Sequence, residues 1–236
     1  MSNRIKIVLL FSLMFMVVSC GAFQPKYLPK EYIDNLKNNR KSGLIACVSD
    51  QNLDRSFEYG ENAFISDTTH KWVKAGVNPK RVLYFMLLES CNYMYQECKD
   101  PNSYDIMIIP NITASRIDRL NSNRKRTGYE REEIYGKEYS VNLSINIRVI
   151  DKKQNEILNI SKSVNSRAWG YGRVPPTCAS SNCWDWANAD SITNGSTNAV
   201  SKAIYDVLPA INDQISGHDS IVQLEKSSQK RDDKKQ

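Results

Sequence analysis

Histidine is almost missing from this chain: His70 and His218 are the only two in 236 residues. Neither a His-x-x-x-His zinc pair nor a Ser-His-Asp constellation has much to draw on. A Gly-x-Ser-x-Gly elbow and a phosphate-cradling glycine loop are also absent. "WGYGR" at residues 169–173 has the glycines but no Lys-Ser/Thr after them. Glu130, Glu132 and Glu133 are acid–base candidates only by default, because a solvated strand edge uses the same residues. These absences lead to the expectation of a protein that is not an enzyme, with no catalytic residue, no metal site and no cofactor.

Long apolar runs are missing too. Ile7 to Val18, broken only by Ser12, is the one sustained stretch. As a helix it would rise about 18 Å, short of a hydrocarbon core of about 30 Å. It follows Arg4 and Lys6 with no acid nearby, which describes a signal peptide over 1–19. The net charge of +6 is small, and Arg4 and Lys6 leave with the signal peptide. Such weak basicity is mostly solvated charge, with lipid headgroups or cell-wall polymers as the anions it would meet. Arg116, Arg119, Arg124, Lys125, Arg126 and Arg131 would suggest nucleic acid in a cytosolic protein. Export removes that partner, so no nucleic acid is expected.

The segment "VVSCG" at 17–21 resembles the bacterial lipobox. The resemblance implies acylation of Cys20 and cleavage before it, leaving a lipoprotein with palmitate-type chains and membrane attachment through the lipid. Gly21 is not the Asp of the inner-membrane retention rule, which points to the outer membrane. Residues 20–42 read as lipidated terminus and tether, 43–215 as a single domain, and 216–236 as a disordered charged tail.

Within the domain, "GLIACVS" at 43–49 reads as a buried strand. Asn78-Pro79 starts a helix. Val82, Leu83, Met86, Leu87, Cys91, Met94 and Cys98 form its buried stripe, ending near Cys98. "YDIMIIPNIT" at 104–113 reads as a strand bulged at Pro110, and residues 121–127 as a hairpin tip. Val141, Leu143, Ile145, Ile147 and Val149 alternate with polar residues, the period of a half-buried strand. Leu158, Ile160 and Val164 mark its return. Residues 190–211 form a closing helix. The fold class is α+β: a mixed, mainly antiparallel sheet of four to five strands with two main helices packed on it.

This plan resembles the envelope lipoproteins related to the curli-secretion lipoprotein, the penicillin-binding-protein activators and the amino-terminal domain of the Tol translocation protein. Ile145, Ile147, Val149, Asp151 and Glu156-Ile157-Leu158 match their hairpin pattern, with Gln154-Asn155 in place of the turn glycine. The resemblance implies a periplasmic protein-binding or assembly accessory with an envelope protein as partner. Display on the cell surface, with external ligands, is one alternative, and a thiol or hydrolytic enzyme is the third.

Five cysteines remain after Cys20. Cys91 and Cys98, on one helix, would lie about 10.5 Å apart along its axis, too far to bridge. Buried thiols, or a bridge from one of them to Cys47, are the alternatives. Cys178 and Cys183 can close a short disulfide loop in an oxidising compartment. Residues 166–189 read as one long loop without periodicity, carrying Trp169, Tyr171, Arg173, Trp184 and Trp186. Those five are the candidate partner-binding residues, since Trp, Tyr and Arg dominate interface energetics. A lid packed over the sheet is the competing reading.

Overall fold

Alternation of apolar and polar side chains builds the central long strand of this molecule. The computed structural model describes residues 28–53, 59–66, 71–100, 103–126, 133–174 and 182–232. In chain order these hold α1 (Lys30–Asn38), β1 (Lys41–Val48), β2 (Tyr59–Ser66), β3 (Lys71–Val77), α2 (Pro79–Met94), β4 (Tyr95–Gln96), β5 (Ile106–Arg126), β6 (Glu133–Asp151), β7 (Glu156–Val174), α3 (Asn182–Ser216) and α4 (Asp219–Asp232). The main sheet runs β4-β1-β5-β6-β7. β1 is parallel to both neighbours, and β5, β6 and β7 are antiparallel. β2 and β3 form a separate antiparallel pair. The expected α+β fold is thus present, together with a second small sheet that the sequence reading left undefined.

The apolar phase of β6, from Tyr139 to Val149, is 2 % exposed or less at every odd position. It faces the helices. Val82, Leu83, Met86 and Leu87 of α2 and Val200, Ala203, Ile204, Leu208 and Ile211 of α3 complete the core. The opposite face of β5–β7 carries Asn, Ser and Arg and stays open.

Local chemistry sets the element ends. The Asn78 side chain accepts from the Arg81 amide at 3.2 Å and Pro79 takes the first turn, so α2 starts where expected. It ends at Met94, not near Cys98. Cys98 is therefore free of the helix and bridges Cys47 (Cα–Cα 5.1 Å), while Cys91 is the buried free thiol. In the β6–β7 turn, Gln154 adopts φ 66°, the left-handed region a glycine would suit. Asp151 holds that turn by accepting from the amides of Lys153 and Asn155.

Four sequence expectations change. The ladder of β5 shifts at Ile112/Ala114 and Arg119/Asn121, not at Pro110. Pro110 stays in register because its imide side faces beyond the end of β1, where Asn52 donates to its carbonyl. β5 continues to Arg126, so 121–126 is strand rather than hairpin tip. The tether segment contains α1, whose Tyr32, Ile33 and Leu36 are buried. The tail expected to be disordered contains α4, whose Ile221 is fully buried and whose Glu225 pairs with Lys41 at 2.7 Å. No helix among the described residues is long and apolar enough to cross a membrane.

Candidate functional site

Residues 166–174 decide the geometry of the far end. The sequence reading placed them in a long loop, but they are strand: β7 runs to Val174 and α3 begins at Asn182. The inward row is Ser166, Ala168, Gly170 and Gly172, which alternates by size and not by hydrophobicity. A Cβ on Gly170 would collide with the backbone of Gly195, and one on Gly172 with the Ala187 carbonyl. The helix backbone therefore lies directly on the strand. Asn194 and Asn198 of α3 then donate to the Tyr171 and Trp169 carbonyls, both at 3.0 Å. This closes the sheet edge locally.

The same alternation sends Arg167, Trp169, Tyr171 and Arg173 to the open face. The Trp169 and Tyr171 rings are parallel within 11°, with centroids 6.2 Å apart. Tyr171 is 51 % exposed and leans over Gly136, where a Cβ would come within 3.0 Å of its ring. Glu138 beside them accepts from the Asn121 amide at 2.5 Å.

Trp184 and Trp186 lie in the first turns of α3, on the helix side of the sheet. Trp184 packs edge-on against Tyr135 (6.3 Å, 83°), and Trp186 is 54 % exposed. The five candidate residues thus share one end of the molecule but divide between two sides of the sheet. Cys183 is disulfide-bonded; Cys178, its expected partner, and Cys20 lie outside the described residues, as do the signal peptide and lipobox.

The sequence reading missed a charged cluster on the helix side. Glu61 of β2 accepts from the Tyr59 and Tyr139 hydroxyls, both at 2.7 Å, and from Arg119 at 2.9 Å. Lys137 approaches to 4.0 Å. Burial pushes the Glu61 carboxyl up, but the two phenol hydrogen bonds and the charges of Arg119 and Lys137 outweigh it. The group titrates below its ordinary range. Burial, followed by the contact with Glu61, raises both tyrosines. Lys137 is lowered, first by burial. The signal was available: Lys137 and Tyr139 occupy the apolar phase of β6. With three hydrogen bonds to Glu61, this cluster ties β2–β3 to the sheet. Burial likewise pushes the Cys91 thiol up to about 12, which makes it inert as a nucleophile. Among the described residues no group of His, Cys, Asp and Glu is placed to hold a metal.

No protein family and no curated protein matches the chain. Among solved structures it is similar to a minor lipoprotein from Acinetobacter baumannii (14 % identity, TM-score 0.23, 59 % of this chain and 81 % of that one). It is also similar to a hypothetical protein from Chlamydia trachomatis (9 %, TM-score 0.29, 73 % and 94 %). A third is a Helicobacter pylori protein described as a neuraminyllactose-binding hemagglutinin homologue (13 %, TM-score 0.29, 79 % and 88 %). At these scores nothing those proteins do or bind transfers to this chain.

Proposed function

We propose that the protein is a non-catalytic lipoprotein of the bacterial cell envelope, attached through Cys20. In this reading it is a binding or assembly accessory that holds an envelope protein at the end bearing Trp186. One observation supports it: α1, where the described chain begins, lies far from Trp186. The chain enters through α1, whose Tyr32 receives a hydrogen bond from Asn212 near the C-terminal end of α3. Trp186 sits in the opposite end of the same helix, about 39 Å away along its axis. With the anchor at the α1 end, an exposed Trp that far from the bilayer would serve a partner, not the lipid surface.

Two experiments test this. Cys20→Ala should shift the protein from the membrane to the soluble fraction, and an unchanged membrane fraction would remove the lipid anchor. A tagged protein should recover an envelope protein from detergent-solubilised cells, and Trp186→Ala should weaken that recovery. Equal recovery by the variant would remove Trp186 from the contact.

A further inference from the structure

The helix-free face of β5–β7 is an array of amides and hydroxyls. Across β6 and β7, Asn142 pairs with Asn165, Ser144 with Ser163, and Asn146 with Ser161. On this face Asn165, Ser163 and Ser161 are exposed, as are Asn142 and Arg116. The small row of Ala114, Ser144 and Ser163 forms the floor of a depression of about 270 Å³, bordered by Arg116, Asn142 and Asn165. Four residues further along β7, about 13 Å, the same face ends in the parallel rings of Trp169 and Tyr171.

Two ion pairs lie on this face. Arg116 holds Asp118 at 2.8 Å, Arg148 holds Glu156 at 2.7 Å, and Asn121 donates to Glu138. Asp118 and Glu156 are thus paired with arginines, Glu138 has a neutral amide as its partner, and Arg167 is exposed. A flat row of short donors and acceptors leading to an aromatic pair complements a polymer with hydroxyl and amide edges and apolar ring faces. A protein partner would require a desolvated apolar centre, and the middle of this face has none. A lipid surface would require an apolar or strongly basic face.

We propose that the open face binds the glycan strand of the cell wall, a polymer of acetamido sugars with acidic substituents. Sugar hydroxyls and acetamido groups meet the Asn/Ser rows, ring faces stack on Trp169 and Tyr171, and acidic groups meet Arg167. This rests on the envelope location proposed above, and it gives the accessory a second attachment on a different side from Trp186.

The test is co-sedimentation of the full-length protein, in detergent, with purified insoluble cell wall. The wild type should pellet with the wall. Trp169→Ala/Tyr171→Ala and, separately, Asn142→Asp/Asn165→Asp should each lower the bound fraction about tenfold or more. Circular dichroism and the Cys47–Cys98 bridge should be unchanged, showing that the variants fold. Digesting the glycan with a muramidase should release the bound protein, whereas digesting only the peptides should not. Failure of the wild type to pellet overturns the proposal, as does binding that both double variants retain. Capture of a protein, and not of wall, at these residues would also overturn it. Wall binding in vitro needs neither the lipid anchor nor the protein partner, so a negative result leaves the accessory reading standing.

Discussion

Glu61 shows how much one side chain settles. It joins β2 to β5 and β6 by accepting from Tyr59, Tyr139 and Arg119 at once. Glu61→Gln keeps the shape but loses the charge, and should cost about 1.5–3 kcal/mol, the worth of hydrogen bonds to a charged group. The pH dependence follows from the direction of the shift. A carboxyl that titrates lower in the folded state than its ordinary 4.5 adds stability above that value, and loses it as pH falls through the folded pKa. Thermal melts of the wild type should therefore drop more steeply below about pH 4.5 than those of Glu61→Gln; parallel acid limbs would argue against the role. Gly172 is the second decisive position. Gly172→Ala places a methyl against the Ala187 carbonyl and should cost about 1–3 kcal/mol by overpacking. Denaturant titration measures it, and a neutral result would mean that α3 does not lie so close to β7.

At the scale of elements, what could be read in the sequence depended on the physical signal each element carries. The β6 hairpin was legible because its inner phase is hydrophobic. The helix start at Asn78 was legible because cap and proline chemistry is local. The second half of β7 was not, because its inner row of Ser166, Ala168, Gly170 and Gly172 is small rather than apolar. The row is small because a helix backbone replaces side chains as its packing partner. The same contact explains why α3 begins at Asn182 and not at residue 190: its first turns bury Ala187 and Ser191, which carry little hydrophobic signal. The candidate Trp, Tyr and Arg residues stood out by type, but their division between two sides of the sheet follows from strand alternation that could not be seen. The cysteines were half legible, with the Cys47–Cys98 pair depending on where α2 ends. Cys98→Ser opens a loop of 51 residues and should cost about 4 kcal/mol on the chain-entropy model. A melting temperature unchanged from the oxidised wild type would contradict this.

The whole molecule has two ends joined by α3. α1 and α4 pack at the end where the chain enters, and removing residues 217–236 should expose the β1 region covered by Ile221 and Glu225. Proteolysis of that truncated protein should cut within α1 or β1 sooner than in the full chain. The other end carries the exposed aromatics. The central claim, that partners meet the protein at the end remote from its anchor, is tested most directly by photo-cross-linking in intact cells. A photoreactive residue would replace Trp186 at one end or Asn39 at the other. The account predicts a discrete protein adduct from position 186 and none from position 39. Adducts from position 39 alone would contradict it.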